Sequence, residues 1–267
     1  MQIKKNNFYF KSQNNKNESI EVYVGQSSGK QLNSDILNAK NEVLIVSPYI
    51  DESKLDDLIR LKDRGVNVRL AFSDLRTNQK SNILRKLVSQ KRYTDEKFKE
   101  ELLKKRKIFT ILSFSFLVLG FISLFFSVLN FEKFDLVTIS TFIITLLCFY
   151  GFYKIDSKKK DLAKTNIYRY EYLKKINFKY LRNNFRSHDS MFIHSKIYVI
   201  DREIAYIGSM NYTNNGFTSN FETRVRITQL EKLKELAAFI HNIFDDEYNF
   251  KSHEIAFLGK QVYSEEN

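Results

Sequence analysis

The chain has 267 residues and a net charge of +12, from 43 Lys and Arg against 31 Asp and Glu. The length allows one catalytic domain of usual size plus an insertion. Its single cysteine, Cys148, excludes a disulfide framework or a cysteine-based metal site within one chain.

Phe8 to Lys11 and Ile20 to Gly25 read as short strands around a polar Asn/Lys turn. Leu32 to Lys40 reads as a helix with Asn33 or Ser34 as its cap. Glu42 to Val46 is a buried-type strand stopped by Ser47 and Pro48, the only proline. Asp51 to Arg64 carries Leu55, Leu58, Ile59 and Leu61 at near-helical spacing, and Gly65 suits the C-terminal cap. Val66 to Phe72 is the next strand. A strand-helix-strand unit implies parallel pairing and an α/β core. Ser47 and Tyr49 stand just past a strand end, where sites in α/β sheets gather; the competing reading is ordinary loop residues.

From about Thr77 to Lys107 the chain reads as a long charged helix without glycine or proline. It runs into an uncharged apolar stretch, Ile108 to Phe131, then a short link and a second uncharged stretch, Leu136 to Tyr153. A second polar helix is expected from Lys154 to about Lys175. Both apolar stretches are long enough for the ~30 Å hydrocarbon layer, the second near the lower limit. Lys104, Lys105, Arg106 and Lys107 precede the pair, and Lys154, Lys158, Lys159 and Lys160 follow it. The positive-inside rule then puts both flanks, both termini and the rest of the chain in the cytoplasm, and the link outside. The alternative is a buried helical hairpin. The pair is internal and so is no targeting signal, and the N-terminus shows no secretory apolar core. Abundant Lys, Asn and Ile without Trp hint at an AT-rich prokaryotic genome, which makes the membrane the plasma (inner) membrane of a prokaryote.

The chemistry is concentrated further on. His194, Lys196, Asp201, Gly208, Ser209 and Asn211 spell H-x-K-x4-D-x6-G-S-x-N, once. A histidine and a lysine two apart on a strand share a face, so a nucleophile would stand beside a fixed cation. Phosphoryl transfer needs that pair, one group to attack phosphorus and one to hold non-bridging oxygens. Lys196 to Ile200 and Glu203 to Ile207 read as a hairpin around Asp201 and Arg202. Gly208 would let the backbone approach a ligand, and Ser209 and Asn211 offer neutral hydrogen-bonding groups to phosphate. Glu222 opens a further strand, Phe221 to Thr228, and would orient His194 through its second ring nitrogen. Gln229 to Asp246 reads as a helix with a core-facing stripe of Leu230, Leu233, Leu236, Ala237, Ile240, Ile243 and Phe244.

The motif resembles the HKD motif of the phospholipase D superfamily, with every signature position filled. Residues 39–51 and 61–74 also resemble the front half of such domains. The resemblance implies an α/β fold, a phospholipase D-like mixed sheet flanked by helices, and the apolar pair read above would interrupt it with a helical stalk and a two-helix transmembrane hairpin. Residues 1–76 and 177–267 would form the two parts of that domain, and residues 77–176 the stalks, with transmembrane helices at about 108–131 and 136–153. It further implies a two-step phosphodiester reaction without metal or cofactor. His194 is nucleophile or general acid/base; Lys196, Ser209 and Asn211 bind phosphate; Glu222 orients His194; Asp201 has a supportive role.

Such enzymes bring two motifs to one site, and one chain supplies one. The other histidines, His188, His241 and His253, have no lysine two residues on, and His188 falls in a polar loop. A homodimer with the site across a two-fold axis is therefore expected. Lys174, Lys175, Lys179, Arg182 and Arg186 interleave with Tyr170, Tyr172, Phe178, Tyr180 and Phe185. That mixture suits nucleic acid, the anionic face of a bilayer, or a plain solvated surface. Three functions compete: a membrane-anchored nuclease on DNA or RNA, a phospholipase D or phosphatidyltransferase acting on membrane phospholipids, and an inactive phosphate-binding membrane scaffold.

Overall fold

The computed structural model describes residues 8–15, 18–75, 78–130, 136–182 and 192–265. The chain divides into two units, one of residues 1–91 and 171–264, the other of residues 92–170 and 265–267.

In the first unit β1 (Phe8–Asn15) and β2 (Glu18–Gln26) pair as an antiparallel hairpin. Helix α1 (Gly29–Leu37) starts from Ser28, earlier than the expected cap at Asn33 or Ser34. Ser27, at φ 59°, turns the chain out of β2 and into the helix. Strand β3 (Glu42–Val46), helix α2 (Glu52–Asp63) and strand β4 (Asn67–Phe72) form the expected unit, with β3 and β4 parallel. Gly65 follows α2 at φ 89°, the left-handed conformation that ends helices.

Helix α3 (Lys80–Leu87) is short, because β5 (Val88–Thr94) replaces the middle of the helix expected from Thr77 to Lys107. Val88, Tyr93 and Thr94 favour extended backbone. Asp95 then caps a new helix by accepting from Phe98 N at 3.1 Å. After α4 (Glu96–Leu129) and α5 (Leu136–Ala163) comes β6 (Tyr168–Lys174), which pairs with β5. The helix expected to continue to Lys175 thus stops at Ala163. Tyr168, Tyr170 and Tyr172 recur at the strand period of two, a signal masked by the charges between them.

Strand β7 (Asn177–Tyr180) lies parallel to β4, and β8 (Ile197–Ile200) and β9 (Ile204–Gly208) form the expected hairpin. Helix α6 (Asn214–Thr218), strand β10 (Phe221–Ile227), helix α7 (Leu230–Asp245) and helix α8 (Ile255–Lys260) complete the unit. The eight-stranded sheet runs β1-β2-β10-β9-β8-β3-β4-β7. Its middle strands β3 and β8 are buried at every residue, which is why both read as unbroken apolar runs. One face of the sheet, with Leu44, Val46, Val199 and Ala205, packs against Leu233, Ala237, Ile240 and Ile243 of α7. Leu236 and Phe244 flank that cluster, whereas Leu230 is exposed at the first turn. Alternation turns Val43 and Ile45 to the other face.

In the second unit α4 and α5 are both long and apolar enough to cross a membrane. Their mutual seam is small and polar. Ser123 Oγ donates to Thr141 O at 2.7 Å, and Ser127 Oγ lies 2.8 Å from Thr141 Oγ1. A Cβ on Gly120 would lie 3.4 Å from Cys148 Cβ, and one on Gly151 would lie 2.9 Å from the Phe116 ring. The exposed surface is Phe114, Phe121, Phe125, Ile143, Leu147 and their neighbours. Small residues inside and large apolar ones outside is the pattern of helices that face lipid.

Candidate active site

The site lies where strands of opposite direction meet at one edge of the sheet. β3 and β4 are parallel and end at Val46 and Phe72, while β8, antiparallel to β3, begins at Ile197 opposite Val46. His194 and Lys196 therefore arrive at the carboxyl ends of the parallel strands, the usual place for ligands in α/β sheets. They precede β8 rather than sit on it, as the motif had suggested. β9 ends there at Gly208 and β10 begins there at Phe221.

Two buried serines pin the loops. Ser73, just past β4, accepts at Oγ from Ile193 N at 2.8 Å. Ser47, just past β3, accepts from Tyr212 N at 2.9 Å and donates to Tyr49 O at 2.8 Å. Tyr198 OH, fully buried, donates to Met210 O at 2.6 Å. Burial raises the pKa of Tyr198 far above the ordinary phenol range, so the hydroxyl stays a donor. The sequence singled out Ser47 but missed Ser73 and Tyr198. The equivalent position of the two serines, each directly after a buried parallel strand, was the available signal.

Lys196 is only 8% exposed. Its Nζ donates to His194 O at 2.7 Å and lies 3.1 Å from Nδ1 and 3.3 Å from Nε2 of the same imidazole. Burial lowers its pKa and Glu222 opposes that shift. His194 itself is exposed, so a buried cation backs an accessible ring. That ring stacks on Phe192, whose centroid is 6.0 Å away, and Phe192 meets Tyr49 edge-on at 6.5 Å.

Glu222, 8% exposed, accepts from Ser209 Oγ and, at 3.0 Å, from Asn220 Nδ2. Ser209 Oγ also accepts from Thr223 N at 3.0 Å. Among the described residues no hydrogen bond joins Glu222 to His194, so within one chain Glu222 positions Ser209 instead of the imidazole. The β9 and β8 ends are tied together by Gly208 N donating to Lys196 O at 3.3 Å. A Cβ on Gly208 would lie 2.0 Å from Thr223 O, so the glycine admits the neighbouring strand rather than a ligand. Asn211 holds a buried Oδ1 that has no hydrogen-bond partner among the described residues.

Asp201 does not join this cluster. It lies at the far end of β8, at φ 52°, and with Arg202 at φ 56° forms a two-residue turn closed by Glu203 N donating to Ile200 O at 3.0 Å. Its carboxylate accepts from the backbone N of Lys40, Asn41 and Glu42 at 2.9, 2.7 and 2.9 Å, fastening the hairpin to the start of β3. Burial pushes its pKa up, but these donors outweigh it and hold the carboxyl below the usual range. Its contacts are thus with the backbone at the start of β3, away from His194 and Lys196.

Of the other histidines, His188 lies outside the described residues. His241 Nε2 faces Glu42 at 3.6 Å, at the sheet edge opposite the site. His253 packs on Tyr180 of β7 at 4.7 Å between ring centroids. Between β8 and β7 stand β3 and β4, so three strand spacings, about 14 Å, separate those strands.

The basic-aromatic stretch is mostly consumed by the fold. Lys179, 2% exposed, bonds Phe244 O, Asp246 O and Glu247 at 3.3, 3.0 and 3.1 Å, closing the carboxyl end of α7. Lys174 donates to Phe178 O at 2.8 Å and its pKa is lowered by burial. Lys175 donates to Arg85 O at 2.9 Å. Arg182 remains half exposed, and Phe185 and Arg186 lie outside the described residues. No group of His, Cys, Asp and Glu suited to a metal ion occurs among the described residues.

A family model described as cardiolipin synthase, PLD-like domain, matches residues 32–246. A search of the curated proteins gave no match. Among solved structures, the chain is similar to Nuc, a phospholipase D family member from Salmonella typhimurium. Identity is 14%, over 88% of this chain and 99% of that one, with a TM-score of 0.40. NucT from Helicobacter pylori is 12% identical over 85% of this chain and 95% of its own, with a TM-score of 0.40. Phosphatidylserine synthase from Haemophilus influenzae is 10% identical over 94% of this chain and 46% of its own, with a TM-score of 0.41. These structural likenesses are distant, and the assignment rests on the family model, which spans both halves of the sheet together with the hairpin between them. The chain belongs to the phospholipase D superfamily through a PLD-like domain, and its class of chemistry is the cleavage or transfer of phosphodiesters.

Proposed function

We propose that the chain is a membrane-anchored phosphodiesterase that works as a homodimer through a phosphohistidine, with DNA or RNA as substrate. The observation that carries this reading is Lys196 Nζ against the exposed imidazole of His194 at the strand ends. In the reaction a ring nitrogen of His194 attacks phosphorus and a P–N bond forms as the leaving oxygen departs. Lys196 holds the non-bridging oxygens, with Ser209 and Asn211 beside it. A second histidine protonates the leaving oxygen, then takes a proton from water, whose oxygen displaces the imidazole. His241 and His253 stand away from His194, which supports a second copy of His194 as that group, supplied across a two-fold axis. No step calls on a metal, so activity should persist in EDTA.

The test is to mix wild-type and His194→Ala protomers in equal amounts. A shared site leaves roughly a quarter of the activity, that of wild-type dimers alone, whereas independent sites leave roughly half. The net charge of +12 supports nucleic acid. The hairpin serves as tether, with both termini and the site on the cytoplasmic side of a prokaryotic plasma membrane.

A second reading, a phospholipase D or phosphatidyltransferase on membrane phospholipids, is favoured by the sequestering of Lys174 and Lys179, which leaves fewer cations for nucleic acid. Release of phosphatidic acid or headgroup exchange in liposomes, lost in His194→Ala, would select it. Binding of phosphates without turnover of either substrate would leave an inactive scaffold.

A further inference from the structure

A cavity of about 360 Å³ opens in the second unit where α4 and α5 leave their apolar segments. Lys99 and Arg106 line it from α4, Lys164 from just past α5, and Tyr168 from the start of β6. Leu103 and Leu162 supply an apolar wall. Lys99 pairs with Glu96 at 3.2 Å, but among the described residues no carboxylate pairs with Arg106 or Lys164. Two cations therefore face one cavity uncompensated. By contrast, Lys159 and Lys160 nearby share Asp156 at 2.7 and 3.0 Å.

Depth identifies the ligand. Lys164, eleven residues past Tyr153, reaches the cavity from further out, just past α5, but Arg106 comes two residues before Ile108, the first residue of the uncharged stretch, so it sits about 3 Å along the axis from that boundary. If α4 and α5 span a bilayer, a reading on which this inference rests, that is the level of lipid phosphates. Basic pockets between helices at this level suit anionic headgroups, with the leucines beside the upper acyl chain.

We propose that Arg106 and Lys164, with Lys99 and Tyr168, form a binding site for the phosphate of an anionic phospholipid of the bilayer. The cavity combines a guanidinium and an ammonium, neither paired with a carboxylate among the described residues, with an apolar flank. A soluble phosphate would use the first two and leave the third unfilled.

The test uses the full chain in nanodiscs of mixed phosphatidylcholine and phosphatidylglycerol, with retained lipid read by native mass spectrometry after release. Alkaline carbonate extraction of membranes is done first, and release of the chain there would overturn the hairpin reading itself. Wild type should retain phosphatidylglycerol over phosphatidylcholine, and Arg106→Gln with Lys164→Gln should lose that preference on the order of ten-fold. Lys104→Gln with Lys105→Gln, the same charge loss on residues that do not line the cavity, should keep it. Both double variants should hydrolyse a soluble diester as wild type does, which checks that the first unit is intact. Equal loss of lipid preference in both double variants would mean diffuse attraction and overturn the site, as would equal retention of the two lipids by wild type. Displacement of phosphatidylglycerol by millimolar glycerol phosphate would also overturn it, because the site would then read only the phosphate.

Discussion

Lys196 Nζ lies against both ring nitrogens of His194, at 3.1 and 3.3 Å, while holding the carbonyl of the same residue at 2.7 Å. One side chain thus fixes the backbone of the proposed nucleophile and would present charge to the group it attacks. Lys196→Met should lower kcat by roughly 10²- to 10³-fold, as removal of a positioned transition-state donor does. Its measurement is single-turnover cleavage of a soluble diester by folded protein.

The pH dependence has a defined sign. Burial depresses the pKa of Lys196, so its charge is lost at lower pH than that of an ordinary lysine. The alkaline limb of kcat/KM should therefore fall below the usual lysine range. Lys196→Arg, which keeps its charge, should move that limb upward even where its absolute rate is lower. An unmoved limb would remove Lys196 from the titration.

Ser73 and Ser47 hold the histidine loop and the Ser209–Asn211 turn from the ends of two parallel strands. Ser73→Ala leaves Ile193 N buried without that acceptor and should cost about 1–3 kcal/mol of stability. Small shifts of a nucleophile are expensive, so kcat should fall by on the order of ten- to a hundred-fold with KM little changed. Urea unfolding and steady-state kinetics on the same preparation separate the two effects.

How legible the molecule was depends on which force fixed each part. β3, β8 and the α7 stripe were readable because burial writes itself as apolar runs and helical periodicity, and Leu233, Ala237, Ile240 and Ile243 are the buried ones. β5 and β6 were not, because Lys91, Arg92, Arg169 and Glu171 dress an exposed ribbon in the charges of a solvated helix. At the site the motif named His194 and Lys196, whose contact is local in sequence. It did not show Ser209 as a partner of Glu222 within the chain, because that contact depends on strand register rather than spacing. The place of Lys179 was not legible for a similar reason: its acceptors are the carbonyls of Phe244 and Asp246, distant in sequence.

Gly208→Ala tests the close approach of β9 and β10. The added methyl would meet Thr223 O at 2.0 Å, and the clash is with backbone, which cannot swing aside. Destabilisation at or above the usual 1–3 kcal/mol for overpacking is expected, with Ser209 displaced from Glu222. Normal stability with lost phosphate binding would instead return Gly208 to the ligand-facing role.

Asp201 provides the stability counterpart. Its carboxylate is held below its usual pKa by the backbone N–H groups of Lys40, Asn41 and Glu42, against the upward push of burial. A depressed carboxyl contributes stability that is complete above its unfolded pKa of about 3.9 and is lost as pH falls toward its folded value. The stability difference between wild type and Asp201→Asn should therefore be constant near neutral pH and shrink only below about pH 4. At neutral pH the variant should be less stable by about 1–3 kcal/mol, since one amide hydrogen pair replaces an acceptor facing three donors. Its kcat on a soluble diester, corrected for folded fraction, should match wild type, because the carboxylate sits at the opposite end of β8 from His194. A large loss of kcat in fully folded Asp201→Asn would return the aspartate to the reaction itself.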